Sequence, residues 1–222
     1  MLGSRRRALG GGGGGALIIT LPIGSLLRLG SDYIKNIGNA GESNYYLIAT
    51  SYEGSTCCLL IRWQNGTYGA GRNGAWDSGS KIGYGGSTLD NYMTGTVYNA
   101  FDTITKSYLQ NVNVPVLDSN KNIVPISRSV FVPSRKEYGS KGGSGILGTA
   151  LPFLENESAN VGTWVRSEYA TDFTRAYYIN SSGIWTVSVK TQATVAMRAM
   201  IALSPNAKYD MTPNGDGSYN IV

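Results

Sequence analysis

The sequence predicts an α+β fold of many turns, preceded by an extended arm. Three observations carry this. Of 222 residues 30 are Gly, 41% are hydrophobic and only 15% are charged, against a usual charged share of about a quarter. Such a chain can bury a core yet must turn often. Tyr occurs 15 times and Phe 4 times, which suits a polar aromatic surface. Short apolar runs bounded by turn residues alternate with two stretches of helical spacing. The length fits one large domain or one domain plus an arm. The expected division is an arm over residues 1–20, a domain over 21–205 and a C-terminal tail over 206–222.

The arm begins with Arg5, Arg6 and Arg7 and continues through Gly10, Gly11, Gly12, Gly13, Gly14 and Gly15. Six glycines in a row have no side chain to pack and the greatest backbone freedom. The expected role is an assembly anchor held by a neighbouring chain. The Arg triplet supplies three of the five net positive charges, so residues 16–222 are nearly neutral. With no basic face after the arm, nucleic acid is not an expected partner. Ala16–Ile23 falls short of the ~20 apolar residues a membrane span needs. The glycine run sits where the apolar part of a signal peptide should begin, so neither a span nor standard secretion is expected.

From Leu17 the pattern is strand-like through Leu29. Tyr45–Ala49 reads as a strand. Cys58–Gln64, the Asn65-Gly66 turn and Thr67-Tyr68 read as a hairpin, because Asn-Gly supplies the positive φ values of a two-residue turn. Gly69–Gly86 is a glycine-rich loop carrying Trp76. Ser87 and Asp90 stand in the capping-box relation. Behind them Leu89, Tyr92, Met93, Val97 and Phe101 define a helix face, which Gly95 weakens. Asp102 or Thr103 starts a second short helix with Ile104 and Tyr108 on one face. Val112–Val116 alternates and tolerates Pro115 as an edge strand. Val130–Val132 is a buried strand running into a second capping box, Ser134 and Glu137. Gly139–Gly148 reads as a flexible insertion. Thr163–Ser167 is a strand, Ala176–Ile179 and Ile184–Val189 flank a hairpin turn at 180–183, and Val195–Leu203 is a closing strand containing Arg198. No internal repeat is found.

The chain contains no His, which excludes His bases, Ser-His-Asp triads and His-ligated metals. Cys57 and Cys58 are adjacent. Strand neighbours point to opposite faces, so reduced thiols with one or both in a core are expected rather than a disulfide or zinc site. Gly69–Gly74 spells G-x-G-x-x-G, but loop residues follow it where a dinucleotide site needs a helix. Asp210, Asn214 and Asp216 resemble a calcium loop only faintly, with Ile221 where a bidentate Glu belongs. Glu155 and Glu157 read as solvated loop acids. No metal and no cofactor is expected. Arg166 and Arg198, in apolar stretches, are expected to be structural, since a buried Arg is costly unless paired; Glu137, Glu168 and Asp172 are candidate partners. Trp76, Tyr84, Tyr169, Tyr177, Tyr178 and Trp185 sit near loops or hairpins. Rings with a polar tip favour interfaces, and sugars stack on them. Trp76, Tyr84, Tyr169, Asp172, Arg175, Tyr177 and Trp185 are the ligand-binding candidates.

The order of several segments resembles a domain of unknown function found in bacterial proteins and their tailed phages. These are Ser87–Met93, Val130-Phe131-Val132-Pro133-Ser134-x-x-Glu137, Trp164-Val165-Arg166-Ser167, Ala176–Gly183 and Met197–Leu203. That family is similar to the C-type-lectin-like fold of formylglycine-generating enzymes and phage variable receptor-binding proteins. Ala199 stands after Arg198 where the family usually has Pro, and Pro-Gly is missing after Ser167. The resemblance carries over no catalytic residue, and Cys57 and Cys58 lie too early for formylglycine chemistry. Trp164, Arg166 and Arg198 are structural in this reading.

The resemblance implies a bacteriophage virion protein of tail, baseplate or head surface, made in the bacterial cytoplasm and not an enzyme. The arm would join it to other virion proteins. It would act as a homo-oligomer presenting a domain to host glycan or protein. The alternatives are a decoration or connector protein and, third, a wall-degrading hydrolase using carboxylates.

Overall fold

The computed structural model describes residues 15–30, 44–62, 74–79, 83–156, 163–169, 171–180, 182, 184–193 and 195–222. The fold is mixed α+β, mostly strands with a few short helices.

Its centre is the hairpin β3 (Asn44–Tyr52) and β4 (Ser55–Arg62). The turn falls at Glu53 and Gly54, with φ of 45° and 80°. Two positive φ values match the right-handed twist of the strands, and Gly54 takes its value without a Cβ penalty. β4 is thus paired with the strand before it, and the expected Asn65-Gly66 turn lies outside the described residues. Six of the eight β4 residues are buried, because the strand is central and covered on both faces. Both cysteines can therefore be buried although they point opposite ways. Burial pushes the Cys57 thiol up to about 11; burial, with Cys57 beside it, pushes Cys58 up to about 12.

Around the hairpin a six-stranded sheet runs β13 (Tyr219–Asn220), β2 (Leu26–Arg28), β3, β4, β11 (Met200–Leu203), β7 (Val130–Phe131). All pairs are antiparallel except β13 with β2. β1 (Ala16–Leu17) pairs with β12 (Lys208–Tyr209), and Ile18 is fully buried. Residues 16–20 and 206–222, expected as arm and tail, are thus woven into the body. The closing strand is shorter than the apolar run 195–203 suggests: it starts at Met200, and Arg198 precedes it. β5 (Val112–Leu117) and β6 (Ile123–Arg128) form a separate ribbon in which Pro115 faces Pro125, tolerable where a strand edge needs no donor.

The helix begins as expected. Ser87 Oγ accepts the Asp90 N–H at 3.1 Å and α1 (Thr88–Asn91) follows. It widens into a π-helical stretch over Tyr92–Val97, around Gly95, before α2 (Tyr98–Ala100). Leu89, Met93 and Val97 are buried as their spacing predicts. Asp102 caps α3 (Thr103–Tyr108) through the Thr105 N–H at 2.7 Å, but this helix buries Thr105 and leaves Ile104 exposed. The expected Ile104 face is corrected: six residues make too short a helix for apolar spacing to set its rotation, and the cap sets it instead. A further short helix, α4 (Pro152–Asn156), joins these. No helix among the described residues is long and apolar enough to cross a membrane.

The C-terminal acids do not converge on a cation site. Asp216 accepts from Arg28 at 2.8 Å, from Asn44 at 3.1 Å and from the Ser218 N–H and Oγ at 3.0 and 2.6 Å. Asp210 accepts the Thr212 N–H. Hydrogen bonds from Ser218, then Asn44 and the charge of Arg28, hold the Asp216 carboxyl far below the usual carboxylate range. A depressed native value contributes stability that is present above the unfolded value, about 3.9, and lost as pH falls through the native one. Asp216→Asn is expected to lower the melting temperature at pH 7, and the gap to the parent should close as pH drops below about 4. Melting curves at pH 7 and pH 3 check this; an equal gap at both would refute the assigned role.

Candidate functional site

The site is built on a second, three-stranded sheet of β8 (Thr163–Glu168), β9 (Arg175–Ile179) and β10 (Trp185–Val189), with β9 in the middle. The hairpin turn between β9 and β10 is tied by Asn180, whose Oδ1 accepts the N–H groups of Ser182 and Ile184 at 3.0 and 2.9 Å. Register places Trp185 opposite Ile179 and Val187 opposite Tyr177. With period-two alternation these share one face, and Ala176 and Tyr178 take the other. Tyr178 accordingly meets Trp164, ring centres 5.5 Å apart.

A buried ion pair joins this sheet to the rest. Arg166 and Glu137 are both fully buried. Every guanidinium donor is used: Nε to Pro115 O at 3.1 Å, Nη1 to Val132 O and Glu137 Oε2 at 2.9 Å each, Nη2 to Glu137 Oε1 and to Tyr52 Oη at 2.8 Å. The carboxylate also accepts from Tyr52 Oη at 2.6 Å and from the Ser134 N–H at 2.7 Å. Burial opposes the charge on Arg166, but Glu137 beside it outweighs that and holds the guanidinium above its ordinary value. Burial, chiefly, likewise keeps Tyr52 protonated. Glu137 is the partner among the three candidates. The Ser134–Glu137 box is real in both directions, since Ser134 Oγ accepts the Glu137 N–H at 3.2 Å. A second buried pair joins Lys190 to Glu168, two residues beyond Arg166 on β8. Glu168 also accepts the Gly83 N–H, and Lys190 Nζ sits 4.3 Å from the Trp76 ring centre.

The capping box places Arg135, immediately after Ser134, against the β8–β10 sheet. Its N–H donates to Ser167 Oγ at 2.9 Å. The segment expected as a loose insertion, Gly139–Gly148, instead folds back on it. A Cβ on Gly142 would stand 1.7 Å from the Arg135 carbonyl oxygen, so only glycine allows the approach. The Arg135 guanidinium lies 4.3 Å from the Tyr177 ring centre and 5.7 Å from that of Trp185. Tyr169 stands edge-on to Tyr177 at 5.5 Å, and Tyr138 edge-on to Trp185 at 5.4 Å. Tyr169, Tyr177, Trp185 and Arg135 are half-buried. Together they form a platform of rings around one cation. Arg135 makes no ion pair or side-chain hydrogen bond among the described residues, and its Nε is buried without an acceptor.

The platform keeps Tyr169, Tyr177 and Trp185 from the ligand-binding candidates. Trp76 and Tyr84 are corrected: both are buried core residues, edge-on to each other at 6.2 Å, with the Trp76 indole donating to Val165 O at 2.8 Å. The glycine-rich loop hides its aromatics rather than displaying them. Asp172 and Arg175 pair with each other at 3.2 Å. Trp164 is buried with its indole N–H on Gly74 O at 2.9 Å, and buried Arg198 donates from Nε to Arg62 O at 2.8 Å. Glu155 binds the Ser140 N–H. Of the anchor residues only Gly15 lies within the described residues; Arg5–Arg7, Gly10–Gly14, Glu157 and most of the G-x-G-x-x-G run lie outside. Arg135 was missed by sequence reasoning. The available signal was a cation at the start of a helical turn, where the helix dipole disfavours it. No group of three or more His, Cys, Asp or Glu among the described residues could hold a metal ion.

Residues 44–205 match the family described as Domain of unknown function (DUF6273), and the chain belongs to that family. No curated protein and no solved structure matches it.

Removing one member of the buried pair strands the other charge. Glu137→Ala is expected to cost about 3–5 kcal/mol, whereas Glu137→Leu with Arg166→Met should cost clearly less than that single change. Urea unfolding of the single and double variants checks it; a double variant as unstable as the sum of both singles would be the contrary result.

Proposed function

We propose that this DUF6273 protein is a non-enzymatic binding module of a bacteriophage virion, holding a host-surface ligand on its aromatic platform. The observation that carries the reading is the Tyr169–Tyr177–Arg135–Trp185 cluster: part-exposed rings around an unpaired cation, whose backbone is tied to Ser167 and, through Ser134, to the Arg166–Glu137 pair. A rigid scaffold with aromatic anchors binds without having to order itself first. The buried carboxylates Asp90, Glu137 and Glu168 are each engaged by a cation, which supports binding rather than acid–base chemistry.

The virion placement rests on the order of the motifs shared with the phage and bacterial family, and a C-type-lectin-like scaffold goes with it. The arm, with Arg5–Arg7 and Gly10–Gly15, joins the body to other virion proteins. Many copies then turn weak single contacts into firm attachment. A connector role is the second reading, favoured by the exposed Ile184 and Val189 at the ends of the outer strand β10.

Tyr177→Ala with Trp185→Ala is expected to weaken attachment to host envelope at least tenfold, with the fold retained. Pull-down on purified envelopes and a melting curve check both; undiminished attachment speaks for the connector. Deleting residues 1–15 should leave a folded body that no longer joins particles. Normal incorporation of that truncation would remove the anchoring role.

A further inference from the structure

We infer that the platform takes an anionic saccharide, with a sugar carboxylate on Arg135 and the sugar ring on Trp185 or Tyr177. This deepens the binding reading and rests on it.

The case starts from the accounting of cations. Arg166 is saturated by Glu137, Tyr52 and two carbonyls. Lys190 is paired with Glu168, Arg128 is bidentate on Asp90, Arg175 meets Asp172 and Arg28 meets Asp216. Arg135 differs from all of these. It is half-buried, yet its guanidinium makes no ion pair and no hydrogen bond among the described residues, and its Nε is buried without an acceptor. Its Nη1 and Nη2 are not among the buried orphan atoms, so they reach the surface.

The guanidinium carbon sits 4.3 Å from the Tyr177 ring centre. A guanidinium held against a ring still offers paired N–H donors, and a carboxylate can meet two of them at once. Arg binds planar anions this way, while a lysine offers only a point charge. The backbone beneath is immobilised by the Ser167 hydrogen bond and by the close approach of Gly142. The fork is therefore pre-aimed, and little order is lost on binding.

The neighbouring rings choose the rest of the ligand. Tyr169, Tyr177 and Trp185 offer apolar faces with polar edges. The C–H face of a pyranose fits such a surface. A sugar that carries its own carboxylate uses both features.

The test is titration of the full chain with sialyllactose and a glucuronic acid disaccharide, with lactose and the methyl ester of each acid as controls, followed by NMR or calorimetry. Binding of the acids should exceed that of lactose and of the esters at least tenfold. Arg135→Gln should abolish that preference, and Arg135→Lys should restore only part of it, while melting temperatures confirm that both fold. Equal binding of lactose and the acids, or an Arg135→Gln variant that keeps the preference, overturns the anionic class but leaves a binding module. Absence of any saccharide binding also overturns it, and the envelope pull-down with the Tyr177 and Trp185 variant then decides separately whether the module binds at all.

Discussion

The fold turns on one buried contact, the guanidinium of Arg166 against the carboxylate of Glu137. Two charges out of water are costly, and removing the partner of either leaves an uncompensated ion. Here the cost is offset by completeness. Five donors and four acceptor positions all find partners from five separate stretches: the end of β3, the ribbon strand β5, the chain after β7, the capping turn and β8. Apolar packing is tolerant of small shifts, whereas a saturated polar cluster accepts one arrangement. It therefore sets how the small sheet sits against the large one. Because Ser134 contributes to it, it also sets where Arg135 emerges.

What the sequence made legible was local. Caps at Ser87, Asp102 and Ser134 are written in residue types with a fixed reach, and all three are found. The hairpin around Asn180 is of the same kind. What it hid was partnership across distance. Strand Cys58–Arg62 was readable, but not that its neighbours would be a preceding strand and residues 200–203, since nothing local specifies pairing. The tail at 206–222 has only two-residue strands, too short for any period to register, and its place is set by the sheet edge it completes.

The site was half legible for the same reason. Tyr and Trp near turns marked the candidates. Whether a ring faces outward depends on tertiary cover, so Trp76 and Tyr84 went to the core while Tyr177 and Trp185 stayed at the surface. Arg166 was identifiable as an ion that needs a partner, and Glu137 as one of three that could serve. Arg135 carried no periodicity at all. Its meaning comes from two rings more than 40 residues further along the chain.

The pairing of Met200 with Ile61 has a kinetic consequence. Closing so long a loop must precede any reward from the central sheet, and topologies dominated by such pairs fold slowly. The β9–β10 hairpin can assemble early from neighbours in sequence. Its rings would then wait, uncapped by any guanidinium, until the remainder of the chain docks. The completed platform is thus a late acquisition of the maturing molecule, and an immature chain presents a bare hydrophobic strip in its stead.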